Sequence, residues 1–189
     1  MVVQLHAPQP LPLTIVRAGT TVLRQGEPSV VLARVETGLL RSSTVTADGR
    51  ELLLDLVGPR EVIGEPHNEW SPVTVRALTP ARLRTVPAER AATMLAVRAR
   101  RMTTLAADLA WLEVGGRIDA RLRDLADRFG RPVPGGVAIP FHLTQDDLAA
   151  MVGASRETAN RAIRELERRG SIAVARRCRY VIRTPLHVV

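Results

Sequence analysis

The sequence predicts an α+β protein with an N-terminal β-roll, a long helix and a C-terminal winged helix-turn-helix. Three observations carry that prediction. Glycines 19, 26, 38, 49, 58 and 64 separate short apolar runs over residues 14–87, the punctuation of closely spaced strands. From about Ala88 the period changes, and Leu95, Arg98, Met102, Leu105, Leu109 and Leu112 recur at spacings of 3, 4, 3, 4 and 3. Finally, LTQDDLAAMVGASRETANRAIRELERR over residues 143–169 reads as two short helices about a tight turn. The corresponding domain division is 1–87, 88–114 and 115–189.

A Pro-containing leader, expected to carry little order, precedes the first strands. Strands are expected at Thr21–Arg24, Val30–Glu36, Leu39–Val45, Glu51–Val57, Val73–Leu78 and Ala81–Val86, with Asp48-Gly49 as a hairpin turn. The heptad stripe that follows is narrow for a globular core. It suits a seam between two copies of the chain through Leu95, Met102, Leu105, Leu109 and Leu112, with Arg98 weakening it; the alternative is a helix packed on the β unit. Gly115-Gly116 interrupts the helix and is the expected hinge, since paired glycines are costly in a helix interior. A second amphipathic helix carries Ile118, Leu122, Leu125, Ala126 and Phe129 on one face and closes at Gly130. The loop RPVPGG then leads into an expected strand at Val137–Leu143.

In the helix pair, Thr144 caps the first helix with Asp147 as capping-box partner, and Leu148, Met151 and Val152 face inward. Gly153 supplies the left-handed stop. Ser155 caps the second helix, whose Ala159, Ala162, Ile163 and Leu166 are the buried face. Arg156, Glu157, Asn160, Arg161 and Arg164 then form one outward polar stripe. Beyond Gly170, Ile172–Ala175 and Tyr180–Arg183 flank Arg176, Arg177, Cys178 and Arg179, a β-hairpin wing with a basic tip.

Charge supports a polyanionic partner. Of 189 residues, 27 are basic and 19 acidic, a net charge of +8. The excess is +2 over residues 1–113 and +6 over 114–189, so it gathers on the segment with the helix pair. Every basic residue is Arg, a bias that fits genomic base composition and also suits bidentate contacts to guanine. The single cysteine, Cys178, excludes an intrachain disulfide and the thiolate set of an iron-sulfur cluster, and argues for a cytoplasmic setting. The first residues lack the basic and apolar regions of a signal peptide, and no run is long enough for a membrane span, so no membrane partner is expected.

The phrases GASRETANRAIRELERRGSI, LAWLEVGGRI, VLRQGE and VIGE make the chain resemble the cyclic AMP receptor protein and FNR (CRP/FNR) family of bacterial transcriptional regulators from about Ile15 to Arg183. The resemblance implies a cyclic-nucleotide-binding-like jelly roll, a dimerisation helix and a winged helix-turn-helix that binds double-stranded DNA as a homodimer, with RNA polymerase as a further partner. It implies base reading by Arg156, Glu157 and Arg161 on an inverted palindrome of TGTGA-like half-sites. The chemistry agrees: each Arg matches guanine O6 and N7, and Glu157 accepts from a cytosine amino group. Thr144, Gln145 and Ser155, at helix N-termini, suit phosphates, with Thr158, Asn160, Arg164 and Arg177 as supporting contacts. Gln145 is neutral where relatives often carry a basic residue.

The effector pocket departs from the family pattern. Gly64-Glu65 is present, but Ser71-Pro72 stands where cyclic AMP binders carry the Arg-Ser pair that clamps the cyclic phosphate. Arg76 reads as a strand residue, and of Met102 and Thr103 on the long helix, where relatives offer hydroxyls to the adenine, only Thr103 retains one. Gly64, Glu65, Ser71, Arg76 and Thr103 therefore form a vestigial pocket, which argues against cyclic AMP. No cofactor is expected; heme would rest on His67 alone. The role of a small-molecule effector stays open between an effector-independent regulator and one gated by another ligand. An enzyme on a cupin-like roll needs two or three clustered histidines, whereas His6, His67, His142 and His187 are scattered, so neither a metal site nor catalysis is expected. A non-catalytic partner-binding module is the remaining class.

Overall fold

The computed structural model describes residues 12–29, 32–65, 69–175 and 179–183. His6, His67, Arg176, Arg177, Cys178 and His187 lie outside the described residues. Contacts divide the chain into two units, 1–42 with 56–98 and 43–55 with 99–189.

Ten short strands come first: Leu13–Val16 (β1), Thr21–Leu23 (β2), Pro28–Ser29 (β3), Leu32–Thr37 (β4), Leu40–Val45 (β5), Glu51–Val57 (β6), Val62–Gly64 (β7), Glu69–Trp70 (β8), Thr74–Ala77 (β9) and Ala81–Thr85 (β10). They form sheets of order β1-β10-β4-β7 and β2-β9-β5-β6 with a β3-β8 ribbon. Alternate residues point into a shared core: Ala33, Val35, Ile63, Ala81 and Leu83 from the first sheet meet Leu23, Leu40, Val57 and Val75 from the second. This is the expected jelly-roll arrangement. Gly38, at φ +96°, lets the turn pass Ala81; a Cβ there would lie 2.6 Å from the Ala81 Cβ.

Two corrections concern the strands. β1 lies at the end of the leader, and β3, β7 and β8 fall where no strand is expected. β1 shows no buried alternation because backbone pairing with β10, Leu13 to Arg84 through Val16 to Ala81, holds it. The other three are two or three residues long, too short to display a period of two. The Asp48-Gly49 turn is as expected, with Thr46 N–H donating to the Arg50 carbonyl at 2.9 Å.

Helix α1 spans Ala88–Trp111 and α2 spans Val114–Phe129. The interruption therefore falls at Leu112–Glu113, and Gly115 and Gly116 sit in the first turn of α2 instead of in the break. A first turn lacks intrahelical N–H bonds in any case. Arg117 secures the bend through its Nε, which donates to the Leu112 carbonyl at 2.7 Å.

The leucine stripe of α1 is partly buried within the protomer. Ala91, Met94 and Leu95 pack on Leu32 and Val62 of the roll. Leu105 is 4% exposed within the protomer, and Met102 and Leu109 are half-buried. Leu112 lies just past the end of α1, exposed. The exposed face of α1 carries Thr93, Val97, Arg100, Thr104, Ala107 and Trp111, also at alternating spacings of 4 and 3. Trp111 is 86% exposed.

Arg131–Val133 (β11), Gly136–Ala138 (β12), Gln145–Val152 (α3), Arg156–Arg168 (α4), Ile172–Ala175 (β13) and Arg179–Arg183 (β14) complete the chain. The sheet order is β11-β12-β14-β13. The expected loop RPVPGG is a tight hairpin, and the following strand ends at Ala138 instead of Leu143. Close approach dictates two glycines: a Cβ on Gly136 would lie 2.1 Å from the Ile182 carbonyl oxygen, and one on Gly130 2.3 Å from Val137 Cγ1. Ile118, Leu122 and Leu125 of α2 are buried with Leu148, Met151 and Val152 of α3, Ile163 and Leu166 of α4, and Tyr180 of the wing.

Candidate nucleic-acid interface

The turn between α3 and α4 is built from caps at both helix starts. The Thr144 hydroxyl accepts from Asp147 N–H at 3.0 Å and donates to Asp147 Oδ2 at 2.7 Å, and Asp147 Oδ2 accepts from Thr144 N–H at 2.9 Å. The capping box is thus complete, and the one hydroxyl proton of Thr144 is spent inside it. Gly153 ends α3 in the left-handed region at φ 61° and ψ 43°, its N–H donating to the Ala149 carbonyl. Ser155 Oγ then accepts from Thr158 N–H at 3.2 Å and lies 2.9 Å from Thr158 Oγ1. Ser155 is therefore the N-cap of α4, with its hydroxyl also in contact with that of Thr158. Arg117 of α2 adds a clasp unforeseen in the sequence: its Nη1 donates to the Val152 carbonyl at 3.0 Å, satisfying the C-terminal end of α3.

These caps fix how α4 is rotated. With Ala159, Ile163 and Leu166 buried, Arg156, Glu157, Arg161 and Arg164 are exposed and Asn160 is half-buried. The three expected base readers, Arg156, Glu157 and Arg161, thus share one outward face. Arg156 Nη1 lies 3.5 Å from Asp146 Oδ2, both side chains 65% exposed, a solvated pair too weak to hold the guanidinium back. Arg161 Nη2 donates to Thr158 Oγ1 at 3.4 Å. Gln145 is half-buried in the first turn of α3. Arg168 and Arg169 fold back on Glu165. Glu167 Oε1 accepts from Val174 N–H at 3.2 Å and ties α4 to the wing.

Of the expected effector pocket, the structure brings together Gly64 and Glu65 with a residue read from the sequence as part of the α1 seam. Arg98 Nη2 donates to Glu65 Oε1 at 2.6 Å and its Nη1 to the Gly64 carbonyl at 2.9 Å. Glu65 thus already has a cation. The Ser71 hydroxyl is buried and donates to the Val73 carbonyl at 2.7 Å, so it closes its own turn. Arg76 is exposed between buried Val75 and Ala77, with Nε donating to the Gly19 carbonyl at 2.9 Å. Thr103 is exposed on α1 and donates to the Ala99 carbonyl at 3.2 Å. Neither Ser71 nor Arg76 is arranged to compensate a buried phosphate, so these residues do not fit a clamp for a cyclic phosphodiester. Among the described residues no cluster of three metal-ligating side chains occurs, and no helix is long and apolar enough to cross a membrane.

Comparison with known proteins agrees with this arrangement. Residues 13–98 match the cyclic nucleotide-binding domain family and residues 116–185 the Crp-like helix-turn-helix domain family. The chain is 35% identical over 171 residues to the CRP-like cAMP-activated global transcriptional regulator of Mycobacterium tuberculosis, covering 82% of this chain and 76% of that protein. Its fold is similar to that of a CRP/FNR family transcriptional regulator from Thermus thermophilus, with TM-score 0.74, 27% identity, and 92% and 94% of the two chains covered. It is likewise similar to the c-di-GMP responsive global regulator CLP of Xanthomonas campestris, with TM-score 0.75, 26% identity, and 92% and 94% covered.

Proposed function

Since this chain belongs to the CRP/FNR family of transcriptional regulators, we propose that it binds DNA as a homodimer on an inverted palindrome of TGTGA-like half-sites, without cyclic AMP. The observation that carries this reading is the outward face of α4. Arg156 and Glu157 occupy its first turn and Arg161 the next, so all three reach one stretch of major groove when the N-terminal end of the helix enters it. The arginines are forks for guanine and Glu157 an acceptor for cytosine. Gln145 and the free N–H groups at the starts of α3 and α4 hold phosphates, with Arg164 and the wing, including Arg177, alongside. Thr144, Ser155 and Thr158 serve through the caps that set the helix starts. In a dimer the two copies of α4 would occupy major-groove faces one helical turn apart. The domain division 1–87, 88–114 and 115–189, a cytoplasmic location and contact with RNA polymerase belong to the same reading.

Selection of bound sites from random DNA by the ligand-free protein tests it. Enrichment of an inverted repeat with TGTGA-like halves is the expected result. Enrichment of no sequence, or of a single unrepeated half-site, overturns it.

A second reading has its own support. The regulator from Mycobacterium tuberculosis is named as cAMP-activated, and the Glu65–Arg98 pair sets partly buried polar groups at the Gly64-Glu65 stretch of the roll. Under it, selection succeeds only after a nucleotide is added, with cyclic AMP and c-di-GMP as the first probes.

A further inference from the structure

Strand β6 carries an anomaly. In ELLLDLV, Asp55 shares the inward register of Leu53 and Val57, and its side chain is 7% exposed. A carboxylate in that position is tolerable only if its charge is met. Two helices meet it. Arg101 of α1 donates to Oδ2 from Nε at 3.2 Å and from Nη2 at 3.0 Å. Arg128 of α2 donates from Nη1 to Oδ1 at 2.8 Å, and also to Asp124 Oδ2 at 2.8 Å. Both guanidiniums are largely buried. The Arg128 guanidinium lies 4.7 Å from the centre of the Phe129 ring.

All these groups belong to the unit formed by residues 43–55 and 99–189. Within it, α2 is joined to α4 by apolar packing and to the end of α3 by Arg117, so whatever orients α2 orients the exposed face of α4. α2 also meets α1 through charge: beside the Asp55 pairs, Arg121 Nη2 stands 3.9 Å from Asp108 Oδ2. Charge-assisted bonds are directional where apolar packing is not. A buried ion pair adds little net stability and strongly disfavours arrangements that leave its members unpaired.

We propose that Asp55, gripped by Arg101 and Arg128, is a clamp that fixes α2 against α1 and so holds the reading helix in its DNA-binding orientation without a bound effector. Asp55 is a positioning residue and touches no DNA. The clamp rests on the reading that the ligand-free protein binds DNA.

The test uses the full chain as wild type, Asp55→Asn, Arg128→Gln and the double variant. Each is titrated with the selected palindrome by fluorescence anisotropy without nucleotide, and each is followed by hydrogen exchange over residues 43–55 and 119–129. The expected result is at least tenfold weaker binding for each single variant with a cooperative melt retained, a double variant no weaker than the weaker single one, and faster exchange in both segments. Wild-type affinity in folded Asp55→Asn overturns the clamp and leaves the DNA reading standing. If Asp55→Asn does not fold, Arg128→Gln, which keeps the Asp55–Arg101 pair, decides in the same way. If the wild type itself fails to bind DNA without nucleotide, the effector-free reading falls and the clamp falls with it, an outcome distinct from the loss of the clamp alone.

Discussion

Arg156 stands in the first turn of α4 beside a solvated acidic neighbour, whereas Thr144, at the start of α3, has both its hydroxyl proton and a lone pair committed to Asp147. The two residues look alike in a list of candidate DNA contacts, and their environments give them different tasks. Arg156→Ala is expected to cost about 1 to 3 kcal/mol at one base position and to relax preference there, measured by a base-substitution binding scan. Unchanged preference at every position would remove Arg156 from the reading set. Thr144→Ala is expected to lower folding stability by about 1 kcal/mol in urea unfolding while base preference stays as in the wild type. Both positions were legible in the sequence because capping and recognition use short, local spacings. Arg98 and Arg117 were not, because their partners, Glu65 and Val152, lie 33 and 35 positions away.

At the scale of the element, α1 shows how one period can be satisfied by two different surfaces. The leucine stripe and the exposed stripe of Thr93, Val97, Arg100, Thr104, Ala107 and Trp111 both recur at heptad spacing. Burial separates them. Leu105→Ala is expected to cost about 2 to 5 kcal/mol of protomer stability in thermal or urea unfolding, as removal of a buried leucine does. Trp111→Glu is expected instead to raise the dimer dissociation constant in sedimentation equilibrium with little loss of protomer stability; an unchanged dimer would exclude the exposed stripe as its seam. In β4, Glu36 accepts from Arg34 at 2.7 Å and from Arg84 of β10 at 3.0 Å, and the Arg34 hydrogen bond is the main cause holding its carboxyl below the usual carboxylate range. A depressed folded-state value means the stabilisation is present above that range and is lost as the pH falls through it. The stability difference between wild type and Glu36→Gln should therefore shrink as pH is lowered from about 5 to about 3, measured by thermal melts.

For the whole molecule, charge is distributed so that residues 114–189 carry most of the +8 excess. DNA affinity should then fall steeply with salt: engagement of some 6 to 10 phosphates lowers it roughly 10³- to 10⁵-fold between 50 and 200 mM, measured by anisotropy titration. Flat salt dependence would point to a protein partner for the helix pair. The sequence by itself determined the order of roll, long helix and winged helix-turn-helix, the caps of the helix pair and the outward face of α4, because all of these follow from local periodicity and from residues three or four apart. Only the tertiary structure decided which stripe of α1 is buried, that Arg98 belongs to Glu65, and that Asp55 joins α1 to α2. Those outcomes depend on which distant surfaces meet, and a leucine or a charge reads the same in sequence whether its partner is another copy of the chain, water, or a strand of its own fold.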